Sequence, residues 1–358
     1  MDKARTKHLR VHLAEFPPNY FAMVMATGIV SIASHLLGFE TVATFLFRLN
    51  VAFYAALWLI YLARLIIFPE HVAEDLGDHN RGVGYFTVVA GTCILGSQLL
   101  ILRNAFRPAA ALLCLAVFLW LFLIYVVFTL LITSSNKPSL EKGINGVWLV
   151  SIVSTQAISI LSAMIAPHLA APGRTLLLFF SLWLFLIGSM LYVLIITLIF
   201  YRLLFFKLSP GELSHPYWIN MGAVAITTLA GTALIWNGRG WPFLTGLHPF
   251  VLGLTLLSWA TASWWIPLLV LLGAWKFFIR HDPFIYESAC WGMVFPLGMY
   301  TTCTWWLEKV TGLHFLSVIP KYFIYAALLA WGLTCYGLLS ALFKSTRRSK
   351  AGEKKEKA

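Results

Sequence analysis

LLLFFSLWLFLIGSMLYVLIITLIF, residues 176–200, runs for 25 positions without a charged side chain. At 1.5 Å per residue such a helix outreaches the roughly 30 Å hydrocarbon core of a bilayer, and a soluble core has no use for a helix apolar on every face. Arg174 and Arg202 bracket the stretch, so the chain crosses a membrane here. The rest of the 358-residue chain has the same character: 60% is hydrophobic and 11% charged, against roughly 25% charged in a soluble domain. Of the 26 basic and 14 acidic side chains, 15 fall in residues 1–15 and 344–358, so the interior is starved of charge. The net charge of +12 reports mostly on the chain ends and implies no nucleic-acid partner.

Working outward, ten apolar runs bounded by Pro, Gly or charge are expected to cross the membrane: 19–37, 50–68, 83–102, 108–132, 147–166, 175–204, 217–236, 250–276, 288–307 and 318–342. With both termini in the cytoplasm, inner segments hold 19 of the 26 Lys and Arg, and the positive-inside rule selects that orientation. The chain divides into a basic amphipathic segment 1–16, a membrane domain 17–343 and a basic tail 344–358, both end segments being expected in the cytoplasm. The first sixteen residues are too polar for a cleavable signal, so the first span is expected to direct insertion. The protein is read as a multi-pass protein of the plasma membrane, or of the inner membrane in a bacterium.

The odd spans are rich in Gly, Ser and Thr, whereas the second contains none and the fourth only Thr129. This reads as five helical hairpins, each pairing a small or polar helix with a greasier one. Along the odd spans the small and polar residues recur at helical spacing: Thr27 and Ser31, Thr87 and Gly91, Ser151 and Thr155, Thr228 and Gly231. Two readings compete. These faces line one aqueous path, where hydroxyls replace part of an ion's hydration shell, or they let neighbouring helices pack closely. The first is the expectation here, since the bias largely alternates with the hairpin, although the sixth span carries Ser181, Gly188, Ser189 and Thr197 and the eighth Gly253, Thr255, Ser258, Thr261 and Ser263.

No carboxylate lies at the middle of a span, which argues against a buried proton or sodium site and for passive conduction. An uncharged conduit flanked by basic loops prefers anions. His35, Arg48, His168, His248 and His314 fall in or beside outer loops and could form a cationic outer vestibule, against the ordinary reading of Arg48 as a snorkelling side chain. His8, His12 and Glu15 have helical spacing, but Leu9, Leu13 and Phe16 share it, so an interfacial helix is expected there rather than a metal site. In HVAEDLGDHNR, the residues His71, Glu74, Asp75, Asp78 and His79 match no metal template. The five cysteines lack CxxC spacing and read as packing residues. No cofactor or metal is expected.

FPPNYFAMVMATGIVSIASHLLGF (Phe16–Phe39) resembles the first span of the tellurite-resistance/dicarboxylate transporter family, related to the plant slow anion channels. WGMVFPLGMYTT (Trp291–Thr302) resembles that family's ninth span, and the ten-span layout matches across essentially the whole chain. The resemblance implies an all-α fold with five inner helices around a pseudo-fivefold pore, five helices outside them, and association as a homotrimer. It also implies that Phe295 occludes the pore. The residues agree with that role: Gly292, Gly298 and Thr302 lie at helical spacing from Phe295, and Pro296 can kink the helix and turn the ring inward. Family members handle malate and related dicarboxylates, sulfite, nitrate, chloride, or anions inferred from tellurite resistance. Four-carbon dicarboxylates such as malate are the leading expectation and sulfite or inorganic anions the alternative. A polytopic membrane enzyme would gather titratable groups at one membrane face, which only the loose 71–79 loop attempts.

Overall fold

Every hairpin turn begins where a helix runs out of backbone partners. Asn104 (φ 50°) and Gly312 (φ 71°) take the left-handed conformation that ends a helix, each returning its N–H to a carbonyl four residues back, on Leu100 and Glu308. The computed structural model describes residues 10–207, 215–281 and 286–355, with 344–355 as backbone alone. Among the described residues all regular structure is helical. Ten helices follow in pairs: α1 (Ala22–Leu36) and α2 (Glu40–Ile67), α3 (Phe86–Arg103) and α4 (Phe106–Thr133), α5 (Val150–Ile165) and α6 (Gly173–Phe205), α7 (Ile219–Asn237) and α8 (Pro242–Ala274), α9 (Trp291–Thr311) and α10 (Val318–Lys355). Eight of these helices, some with an adjoining short turn, are long and apolar enough to span a membrane. The exceptions are α1, with 15 residues, and α9, which keeps 21 residues but is less apolar.

The odd helices close a ring: α1 packs on α3, α3 on α5, α5 on α7, α7 on α9, and α9 on α1. Each even helix lies outside the ring against its own hairpin partner. The span Gly146–His168, which contains α5, buries 94% of its most apolar stretch, whereas Glu40–Ile67 buries 17%. Small residues make the ring possible because they let backbones approach; a Cβ on Gly28 would fall 2.5 Å from Ile94 and 2.8 Å from Asn50. The outer helices turn Leu59, Ile66, Phe118, Phe179, Leu271 and Leu329 outward, which lipid accepts and water would not.

Each outer helix also reaches past its partner to the next ring helix with an aromatic hydrogen-bond donor. Tyr54 meets Thr92 at 3.1 Å, Trp120 donates to Thr155 at 2.8 Å, and Tyr192 donates to the Asn220 carbonyl at 3.2 Å. Trp259 donates to Thr304 at 3.1 Å, and Trp331 on α10 returns to Thr27 on α1 at 3.0 Å. A ring N–H or phenol with no water beside it needs such an acceptor.

Three boundaries differ from the sequence reading. Helix α2 begins at Glu40, ten residues before the expected span, so Arg48 is an exposed residue of a helix rather than of a loop. Helix α8 begins at Pro242 and runs through Pro249, which removes one backbone donor without ending the helix. The α10 backbone stays helical to Lys355, past the expected end at 342. In α2 and α10 the helix outlasts its apolar stretch because charge stops burial in lipid and not helix formation; in α8 it begins early because a proline at the start of a helix is tolerated. Of the N-terminal cluster, His8 lies outside the described residues, as do residues 356–358 of the tail.

Candidate functional site

Two cavities lie on the axis of the ring. The larger, about 260 Å³, opens among the C-terminal ends of the ring helices, at the end that carries the hairpin turns. It is walled by all five ring helices, through Ile29 and Ile32, Ile94 and Ile101, Ile160 and Met164, Ile226 and Leu229, and Met299 and Trp306. The smaller, about 20 Å³, lies among their N-terminal ends and is lined by Asn19, Met25, Thr87, Ile219, Gly292 and Phe295 among others. On α9 the axial stripe reads Gly292, Phe295, Met299, Thr302, Trp306, a spacing of three and four that keeps one helix face toward the axis. Phe295 is 1% exposed and lines the small cavity, one turn before Met299, which lines the large one. Pro296 packs on α7 at Gly222, where an added Cβ would come within 2.8 Å of the proline ring.

Of the eleven residues expected to line the path, Thr87 and Gly292 line the small cavity and Thr302 the large one. The other eight line neither. Thr27 and Thr155 take the indole N–H groups of Trp331 and Trp120, and Ser31 donates to the Ala43 carbonyl on α2 at 2.8 Å. Gly91 and Gly298 face α1, and Gly231 faces Thr255 on α8. Ser151 and Thr228 return their protons to carbonyls of Trp148 and Val224. The polar stripes therefore serve mainly the joints between helices, and the axis is walled chiefly by aliphatic and aromatic side chains. Even Ser97 and Thr302, which do line the large cavity, spend their protons on the carbonyls of Cys93 and Gly298. The free thiol of Cys93 also lines this cavity.

The five outer-vestibule residues are not gathered. His168 lines the large cavity and packs on Phe106 in a tilted arrangement, with ring centroids 5.2 Å apart. His35 bonds Glu40 at 2.9 Å across the α1–α2 turn, and His314 bonds Glu308 at 2.8 Å. Arg48 and His248 lie exposed on α2 and α8. Near the mouth the charge comes instead from two residues the sequence reading left out of the site. The Arg239 guanidinium carbon sits 4.0 Å from the centroid of Trp236, a cavity residue, and Arg174 donates to the Arg239 carbonyl at 2.9 Å.

At the opposite end the ring is anchored by buried ions. Arg64 lies 2.7 Å from Asp75, donates to the Ala14 carbonyl at 2.9 and 3.1 Å and to Tyr85 at 2.9 Å. Asp75 also holds Arg81 at 2.5 and 3.1 Å, and this hydrogen bond raises the Arg81 pKa further. Asp78 caps the backbone of Asn80 and Arg81 at 2.8 Å. The segment expected as a loop is helical over Pro69–Gly77; Asp75 is spent on arginines and Asp78 on a turn, while Glu74 is exposed. In the third hairpin Arg202 repeats the device, bonding Tyr217 and the Glu141 carbonyl.

Comparison with known proteins agrees with this architecture. Residues 15–339 match the family model described as voltage-dependent anion channel (SLAC1). An uncharacterized transporter of Methanocaldococcus jannaschii is 24% identical over 347 residues, 95% of each chain. A sulfite efflux pump of Trichophyton rubrum is 25% identical over 360 residues, covering 93% of this chain and 92% of that one. An uncharacterized membrane protein of Mycobacterium tuberculosis is 35% identical over 159 residues, 44% of this chain and 80% of that one. A closed helical ring around an axial void and a family match across nearly its whole length agree: this membrane protein belongs to the voltage-dependent anion channel (SLAC1) family of anion transporters and channels.

Proposed function

We propose that each protomer passes small monovalent anions along the axis of the ring, with hydrogensulfite the first physiological candidate and Phe295 the gate. The observation that carries this reading is a pair of cavities inside a closed ring, one lined by Phe295 and the other by Met299 one turn on, with no Asp, Glu, Lys or Arg among their lining residues. The cost of moving an ion from water into a weakly polar passage rises steeply with its charge. A singly charged oxyanion therefore crosses such walls more readily than the malate dianion. The relative named as a sulfite efflux pump supports the same choice. All ten helices cross the membrane in this reading, α1 and α9 being short or less apolar because ring neighbours rather than lipid surround them. Both termini face the cytoplasm of a plasma or inner membrane, and three protomers associate.

Reconstitution into liposomes, with flux measured for sulfite, nitrate, chloride and malate, tests the reading. Sulfite and nitrate should pass faster than malate, and sulfite flux should rise as pH falls through neutrality, because more of it becomes the monoanion. Malate passing fastest would restore the dicarboxylate reading. Phe295→Ala should raise flux several-fold while the protein stays folded. A drop in flux from folded protein would make the ring a packing residue and move the gate elsewhere.

A further inference from the structure

The walls of the large cavity suit a ligand quite unlike a small hydrated ion. At about 260 Å³ it exceeds the roughly 150 Å³ apolar cavity that holds a benzene molecule in an engineered core. It runs from Ile226 to Asn237 along α7, about 16 Å at helical rise. Its walls are chiefly aliphatic and aromatic; its two hydroxyls are already committed to carbonyls, and the Asn237 amide donates to the Ala233 carbonyl. Cations stand at one end alone: Arg239 over the cavity residue Trp236, and Arg174 bonded to the Arg239 carbonyl, with its Nε buried and unpaired. His168 lines the same mouth.

We infer that the large cavity is a binding site for an organic monoanion with a slender or flat apolar body, which enters from the hairpin-turn end and plugs the pore. The apolar body fills the shaft down to Met299 and Ile226. The acidic group stays at the mouth beside Arg239 and Arg174, where it keeps part of its hydration. Entry is from water rather than from lipid, since each ring helix packs on the next and shuts the side of the cavity. The inference rests on the proposed pore for its blocking effect, but not for its binding.

The probe is naphthalene-2-sulfonate, which stays ionised across the accessible pH range. Equilibrium dialysis against protein in nanodiscs, with empty nanodiscs as reference, should reveal one saturable site per chain. Ala233→Phe, which fills the shaft, should abolish binding. Arg239→Gln, at an exposed position with little risk to folding, should weaken it several-fold, and uncharged naphthalene should bind more weakly than the sulfonate. In planar bilayers the probe should block nitrate current only from the hairpin-turn side. No excess over empty nanodiscs, or binding indifferent to both substitutions, overturns the site. Binding without any anion flux would remove the proposed pore and leave the site standing; flux without binding would do the reverse.

Discussion

Two residues, Gly222 and Pro296, bear on the proposed gate. Gly222 on α7 gives Pro296 its seat, and any side chain there must displace the proline ring beside Phe295. Gly222→Ala should cost about 1–3 kcal/mol by overpacking and should raise basal anion flux by unseating α9. Made on top of Phe295→Ala, it should leave flux unchanged while still lowering the melting temperature; additive flux effects would uncouple Pro296 from the gate. Asp75 presents a different residue-level problem, since it neutralises Arg64 in a site where both side chains are nearly inaccessible. Asp75→Asn leaves the guanidinium buried without its counter-charge and should destabilise the protein by about 3 kcal/mol, read as a fall in melting temperature in detergent.

At the scale of the helix, the question is which face meets the axis. Single cysteines at Ile160 and Ala233, in a background without native thiols, should react with aqueous thiol reagents, whereas cysteines at Thr155 and Thr228 should be shielded. Labelling of the threonine positions instead would turn the helices by nearly half a turn and restore a hydroxyl-lined path. The pairing of helices was legible in part, since the Gly, Ser and Thr bias sets the first two ring helices apart from their outer partners, whereas α6 and α8 carry such residues too. The facing was not. A ring helix carries both an apolar and a polar stripe, and in lipid a hydroxyl satisfied by a neighbour's indole is as comfortable as one satisfied by water. The missing signal was on the other helices: Trp120, Trp259 and Trp331 lie in otherwise greasy spans, and each needed an acceptor. The face of α9 that carries Phe295 was legible in part: Gly292 and Thr302 do share its axial stripe, but Gly298, three residues on, turns toward α1 instead. Trp120→Phe should cost about 1 kcal/mol of stability and leave Thr155 free to face any water that enters.

For the whole molecule, the lack of a carboxylate among the cavity-lining residues argues for conduction that follows the anion gradient alone. Reversal potentials in bilayer recordings should track the anion ratio across the membrane, and a strict requirement for sodium would contradict that. The ring also imposes an order on its own synthesis. Trp331 bonds Thr27 across 304 positions, Ser288 bonds Asn19 at 3.2 Å, and α9 packs on α1 along its length. Helix α1 therefore keeps one flank unpartnered until the ninth and tenth helices arrive. During that wait a 15-residue helix, too short to hold itself firmly in a bilayer, depends on α2 and on the Arg64 clamp at Ala14 for its position. A nascent chain halted after the eighth helix should be a leaky, protease-sensitive crescent, and release of the last two helices should convert it to a resistant barrel in a single step.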